Sequence, residues 1–198
     1  MQPEIEAAFL DINKDALREK IKEQGGELIL PETLMRRVVF DTNTPNSFAR
    51  VRDEGDKITM TYKRVDDLSL SGSKEICFNV DDYDKAIQFV EALGYEGKAY
   101  QETLRENWEL DGVEISIDTW PWIPTFVELE GPTEEAVKNV AEKLGFDMKD
   151  AHYGSVDETY KLYYDIENDY INYYPEIKFV PVPEDLEQKR YKTPLHKI

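Results

Sequence analysis

The stretches EISID at residues 114–118 and FVELE at residues 126–130 alternate polar with apolar residues. Successive side chains of a β-strand point to opposite faces, so each stretch predicts a strand with one apolar and one acidic face. The same alternation occurs in EIEAAF at residues 4–9. Three strands that each carry carboxylates on one face predict that these faces meet at one site.

Composition limits the classes of protein to consider. The 198 residues suffice for one large domain or two small ones. A formal net charge of −18 argues against nucleic acid or an anionic membrane as a partner. We find neither a membrane-length apolar run nor a basic-then-apolar signal pattern. Cys77 is the single cysteine, which excludes a disulfide within the chain; we expect a buried structural thiol and a cytoplasmic protein.

Many short strands separated by turns, with few helices, predict an α+β fold that is mainly antiparallel β. Helices are predicted at residues 13–25, 81–94 and 132–145, from their caps and apolar spacing. Residues 28–30 and 36–41 are predicted as short strands, and residues 48–52 and 58–64 as a hairpin. The strands form a barrel or sandwich with helices packed outside. Residues 166–198, rich in Tyr and Pro, are an extension that packs on this domain or mediates contacts.

The acidic faces suggest a metal site. If they meet, several carboxylates share one concave surface, repel one another and raise their own pKa values. Mg²⁺ or Mn²⁺ would relieve this repulsion, because these ions prefer carboxylate oxygen ligands. A solvated strand face is an open alternative in a chain this acidic. The predicted metal ligands are Glu4, Glu6, Asp118, Glu128 and Glu130.

Basic residues follow the same alternation. Arg50 and Arg52 share a strand face, Lys63 lies on the following strand, and Arg105 lies on the strand predicted to pair with that of Asp118. Guanidinium groups hold phosphate oxygens through paired donors, and lysine adds a point charge. A rim of surface salt bridges is the alternative. A barrel would bring these bases and the acids into one interior.

The order and spacing of these acidic and basic residues resemble those of the motifs of the CYTH superfamily, the triphosphate tunnel metalloenzymes. The resemblance covers about residues 3–165. The superfamily includes class IV adenylyl cyclases, thiamine triphosphatases and inorganic triphosphatases. The resemblance implies an eight-stranded antiparallel β-barrel tunnel in residues 1–165, with 166–198 as the extension. The motifs that carry it are EIE at 4–6, RVR at 50–52, TYK at 61–63, Arg105, Asp118 and FVELE at 126–130.

The resemblance also assigns roles. The five carboxylates fall at metal-side positions, and Glu75 matches a further tunnel-facing acid. Arg50, Arg52, Lys63 and Arg105 fall at phosphate-side positions and, with Glu4 and Glu6, would carry catalysis. The implied reaction is divalent-metal-dependent hydrolysis of a small molecule containing a triphosphate, whether inorganic triphosphate, thiamine triphosphate or a nucleoside triphosphate. Conversion of ATP to cyclic AMP is the alternative.

At three positions the chain lacks a basic residue of the family pattern. Ala8 replaces the lysine of Glu-x-Glu-x-Lys, Thr103 replaces the first base of a Lys-x-Arg pair, and Ser73 replaces a base that often precedes Glu75. A non-catalytic binder of phosphorylated ligands therefore stays open, as does an interaction module, including a homodimer. The candidates to compensate for the lost charges are Arg36, Arg37, Arg64 and Lys74.

Overall fold

A computed structural model describes residues 2–167, 170–171 and 173–197, with the backbone alone for Gln2 and Pro3. The strands are β1 Gln2–Glu4, β2 Glu6–Phe9, β3 Glu27–Asp41, β4 Ser47–Asp53, β5 Ile58–Val65, β6 Ser73–Val80, β7 Gly97–Leu110, β8 Val113–Thr119, β9 Phe126–Glu130 and β10 Glu176–Ile177. The α-helices are α1 Lys14–Glu23, α2 Tyr83–Ala92, α3 Glu134–Leu144, α4 Val156–Lys161 and α5 Glu184–Glu187, and short 3₁₀ turns span Met148–Asp150 and Leu195–Lys197.

The strands form one sheet in the order β1-β6-β5-β4-β3-β7-β8-β9-β2, with β10 beside β7. Only Ile5 separates β1 from β2, yet β1 pairs with β6 and β2 pairs with β9. One segment therefore joins both edges, and the sheet curls around an interior. All pairs are antiparallel except β10 with β7. The predicted α+β, mainly antiparallel fold is confirmed, whereas the sheet of the described residues has ten strands and not the eight predicted.

β3 differs from the sequence prediction of two short strands. It is one strand from Glu27 to Asp41, and its pairing with β7 shifts register between Leu28 and Leu30 and again between Leu30 and Thr33. Pro31 lies in this irregular stretch, where a residue without an N–H group is tolerated. The strand continues past the proline because the ladder resumes at Thr33.

The helices pack outside the sheet, as predicted. Asn13 caps α1 by accepting from the N–H of Ala16, and Gly145 ends α3 in the left-handed conformation that glycine adopts without strain. These two helices cover the apolar outer face of β7, β8 and β9, where Ile115 and Leu129 are fully buried. α2 covers β3 and β4 on another side, over Phe40 and Val51.

The described part of the extension lies against the barrel. β10 adds to β7 in parallel, and Ile177 and Leu186 are fully buried in a cluster that includes Trp120. Tyr173 donates a hydrogen bond to Asp41 at 2.7 Å, at the mouth of the interior. The division at residue 165 and contacts with a partner chain stay predictions. None of the described helices is both long and apolar enough to cross a bilayer.

Candidate functional site

The curled sheet encloses a cavity of about 920 Å³. β4 shows how the alternation builds it, because Arg50 and Arg52 line the cavity while Val51 between them is fully buried beneath α2. On the neighbouring strand, Thr59 and Lys63 line it as well. Of the predicted site residues, the cavity is lined by Glu4, Glu6, Arg50, Arg52, Lys63, Arg105, Glu128 and Glu130.

Lys63 joins the two glutamates of the closing segment. Its Nζ lies 2.9 Å from Oε2 of Glu4 and 2.9 Å from Oε1 of Glu6. Burial lowers the pKa of Lys63, but the charges of Glu6 and Glu4 outweigh it and raise that pKa. Burial raises the pKa of both glutamates, against the attraction of Lys63. One ammonium thus holds two carboxylates together at the cavity wall.

Glu130 adds a further carboxylate to this end of the cavity. The residue is exposed by its surface area, yet enough protein lies near its carboxylate to remove part of its hydration. Burial raises the pKa of Glu130 to about 7, helped by the charges of Glu4, Glu6 and Glu114. Crowded carboxylate oxygens are the donor set that Mg²⁺ or Mn²⁺ accepts. The carboxylates present therefore have the ligand chemistry that such an ion needs. In the described part of the chain, however, no three candidate ligands are already arranged around one metal position.

Asp118 lies behind Arg105 rather than at the cavity surface. Arg105 donates to both Asp118 oxygens, at 2.8 and 2.5 Å, and to Glu128 at 2.8 Å. Burial raises the pKa of Asp118 to about 6, against the attraction of Arg105. Despite its burial, the pKa of Arg105 is raised by Asp118 and Glu128. Asp118 therefore orients a base of the cavity, and its role as a metal ligand stays a prediction.

The two arginines of β4 differ in their partners. Arg52 donates to Glu54 from two nitrogens, at 2.9 and 2.6 Å. Among the described residues, the ion pair of Arg50 is longer, with Nη2 3.7 Å from Oε2 of Glu75. Burial and the charge of Arg52 lower the pKa of Arg50 to about 10. Sequence reasoning missed Glu54. It lies two residues after Arg52, so continuing the alternation beyond the end of β4 would have found it.

The structure distinguishes the four compensation candidates. Arg36 points outward to Asp53 at 3.0 Å. Arg64 and Lys74 pair with Asp66, at 2.7 and 2.6 Å. Arg37 alone among the four lines the cavity, where it donates to the hydroxyl of Thr103 at 2.6 Å.

Cys77 also lines the cavity and is exposed, so the expectation of a buried thiol is wrong. Its strand, β6, pairs with β5, and its sulfur lies 3.4 Å from the hydroxyl of Thr61. The alternation that places Glu75 in the cavity places Cys77 there too.

A curled antiparallel sheet whose acids and bases face one cavity defines a tunnel protein, and the comparisons agree. The CYTH domain family matches residues 3–163, and the chain therefore belongs to the CYTH family. A Methanocaldococcus jannaschii protein named "Putative adenylate cyclase" is 25% identical over 147 residues, covering 71% of this chain and 81% of that protein.

Two solved structures share the fold. A protein of Pyrococcus horikoshii OT3 is 25% identical with a TM-score of 0.66, over 75% of this chain and 94% of that chain. A Hippeastrum protein, described as having a dominant triphosphatase activity, is 16% identical with a TM-score of 0.54, over 77% of this chain and 91% of that chain. At that identity the second structure bears on the fold alone.

Proposed function

We propose that this protein hydrolyses a small molecule containing a triphosphate, with Mg²⁺ or Mn²⁺, inside the cavity of its sheet. One observation carries the proposal: arginines from β4 and β7 and glutamates from β1, β2 and β9 line the same cavity. A polyanion and a divalent cation are the pair of ligands that such mixed walls neutralise together. Membership of the CYTH family supports the same function.

The basic wall supplies the phosphate contacts. Arg50 and Arg52 lie on one strand face, and Arg105 projects from β7 with Asp118 behind it. Donors fixed before the substrate arrives stabilise charge that develops on the transferred phosphoryl group and on its leaving group. Water adds to the terminal phosphorus and the anhydride P–O bond breaks. Orthophosphate and the shortened phosphate chain leave, with the released proton going to solvent.

The acidic wall would hold the ion. Glu4, Glu6 and Glu130 supply carboxylate oxygens, and Glu128 lies next to them while accepting from Arg105. A bound divalent ion neutralises phosphate charge and polarises the phosphoryl oxygens. Lys63 holds Glu4 and Glu6 close together, and these two carboxylates would be ligands of that ion.

Formation of cyclic AMP is the second candidate, because the Methanocaldococcus jannaschii relative is named as an adenylate cyclase. In that reaction the 3′-hydroxyl of ATP attacks the α-phosphorus and pyrophosphate leaves. The same basic and acidic walls would serve both reactions. The products distinguish them: orthophosphate indicates hydrolysis, and cyclic AMP with pyrophosphate indicates cyclisation.

The test is a turnover panel of tripolyphosphate, thiamine triphosphate and ATP, each with Mg²⁺ or Mn²⁺. We expect metal-dependent orthophosphate release that falls about tenfold to 100-fold in Arg50→Gln, since one charge-assisted contact contributes about 1.5–3 kcal/mol. Arg64→Gln, a matched change on an arginine outside the cavity, should leave turnover unchanged. Absence of turnover on the whole panel would overturn hydrolysis, and calorimetric binding without turnover would indicate a non-catalytic binder.

A further inference from the structure

Arg37 is a cavity arginine without a part in the proposed function so far, and the role inferred for it rests on that function. It lies on β3 directly opposite Arg52 of β4 and Gln101 of β7. Its side chain is buried, with 4% of the residue exposed. Like charges directly opposite on neighbouring strands repel each other. Glu54 offsets the charge of Arg52, so a negative group in front of Arg37 would relieve the repulsion that remains.

Two contacts hold Arg37 in place without neutralising it. Its Nη2 donates to the Thr103 hydroxyl at 2.6 Å, and its guanidinium lies 4.7 Å from the ring centre of Trp120. An aromatic face attracts and orients a guanidinium but carries no net charge. Among the described side chains, no carboxylate forms an ion pair with Arg37.

Three other bases of the cavity, Lys63, Arg105 and Arg52, each form a short ion pair with a carboxylate. Lys63 has Glu4 and Glu6, and Arg105 has Asp118 and Glu128, all at 2.9 Å or less. The contact of Arg52 with Glu54 is as short.

The buried Nε atoms of Arg37 and Arg50 have no hydrogen-bond partner in the described chain. A buried donor left unpaired costs free energy. Both atoms belong to arginines of the same cavity wall. An anion with several oxygens would satisfy both donors and offset the repulsion between the arginines.

We infer that Arg37 is a further phosphate-binding residue, which contacts a phosphoryl group of the triphosphate together with Arg50. Thr103, where the family pattern leads us to expect a base, serves instead as the acceptor that positions Arg37. Arg37 would thus supply from β3 the positive charge that the family pattern places on the adjacent strand β7. The two positions are diagonal neighbours across that pair, since Arg37 faces Gln101 and Met35 faces Thr103.

The test measures binding of inorganic tripolyphosphate by calorimetry, with Mg²⁺ present, to the whole chain and to Arg37→Gln. Loss of one charge-assisted contact predicts a Kd raised about tenfold to 100-fold. Arg36→Gln is the matched control, one residue away and facing outward, and should bind as the wild type does. Without ligand, Arg37→Gln should unfold at the same temperature as the wild type or higher, because it removes an unpaired buried charge. If Arg37 acted only in packing, the substitution would lower both the affinity and the unfolding temperature.

A double variant tests whether a positive charge on β7 can replace the one on β3. Arg37→Gln combined with Thr103→Lys should recover at least part of the lost affinity, because the charge returns to the same wall. If Arg37→Gln fails to fold, Thr103→Val carries the test, since it removes only the hydroxyl that positions Arg37; weaker binding supports the inference and unchanged binding overturns it.

The outcomes distinguish the role of Arg37 from the proposed function. A wild type that binds tripolyphosphate only as tightly as Arg37→Gln does overturns the role of Arg37 and leaves the proposed function standing. A wild type that binds no tripolyphosphate overturns the role inferred for Arg37, whereas the proposed function falls only if the whole turnover panel gives no product.

Discussion

Arg105 donates two hydrogen bonds to Asp118, from Nε at 2.8 Å and from Nη2 at 2.5 Å. Asp118 is fully buried behind the arginine, so the carboxylate fixes the guanidinium plane before any ligand enters. Paired donors on paired acceptors give the strongest orientation that an arginine side chain can receive. A base fixed in this way can meet a phosphate without reorganising.

Asp118→Asn should therefore destabilise the fold by about 1–3 kcal/mol, because an amide cannot accept both hydrogen bonds of Arg105. Turnover should fall, while affinity for Mn²⁺ stays at its wild-type value. Urea unfolding and Mn²⁺ calorimetry measure the two effects, with Asp56→Asn on the exposed β4–β5 turn as the control. A loss of Mn²⁺ affinity with stability intact would instead make Asp118 a metal ligand.

Mn²⁺ should raise the thermal midpoint of the wild type, and EDTA should reverse the rise. An ion that binds only the folded state stabilises it by about 2.7 kcal/mol at 100 times its Kd. Glu130→Gln should reduce the rise, because it removes one oxygen ligand from the acidic wall. Glu142→Gln makes the same charge change on the exposed face of α3 and should respond as the wild type does. An equal response in both variants would exclude Glu130 from the site.

Leu186→Ala should destabilise the protein by about 2–5 kcal/mol, the cost of a cavity at a fully buried leucine. Leu195→Ala makes the same change in the same extension at a side chain that is 44% exposed, and should cost about 0.5 kcal/mol or less. Urea unfolding at fixed pH gives both values. Equal small effects would mean that the extension adds little to the stability of the barrel.

The contacts of Asp11 with His196 and Lys197 attach the end of the described chain to the domain, and their contribution to stability should depend on pH. Asp11 accepts from Tyr163 at 2.9 Å and contacts Nε2 of His196 at 2.8 Å and Nζ of Lys197 at 2.5 Å. Although burial opposes it, hydrogen bonds from Lys197, His196 and Tyr163 lower the pKa of Asp11 below its ordinary value. A carboxyl with a lowered folded pKa contributes stability above its unfolded pKa and loses it as pH falls through the folded value.

Asp11→Asn should thus be less stable than the wild type at pH 7, and the difference should shrink as the pH falls below about 4. The free energy of unfolding at several pH values measures this trend. Asp15→Asn, at an exposed position on α1, serves as the control and should show a smaller difference. A difference in the free energy of unfolding that stays constant down to acid pH would show that the charge of Asp11 does not contribute to stability.

The sequence predicted the wall of the cavity because the period of a strand is local. Alternation alone put Arg50 and Arg52 on one face and Glu128 and Glu130 on another, and both faces line the cavity. It also predicted the helix caps at Asn13 and Gly145, since a cap depends on neighbouring backbone groups.

The same local reasoning fails where distant segments decide. Nothing near Arg36 and Arg37 states which of them faces inward, because that depends on the register of β3 against β4 and β7 beyond the irregular stretch at Pro31. Asp118 has the phase of a cavity residue, yet Arg105 lies between it and the ligand space. The alternation along a strand determines on which face a side chain lies. Packing between strands determines which side chains of that face reach the cavity surface.

By itself, then, the sequence determined the alternating strands and their charged faces, because each depends on neighbouring residues. The order of its motifs along the chain also indicated the family. Only the tertiary structure decided that residues 2–9 join both edges of the sheet, that Arg37 stands beside Thr103, and that the described extension covers Trp120. Those relationships join residues far apart in the chain. They depend on which strands pair and in which register, which no local pattern specifies.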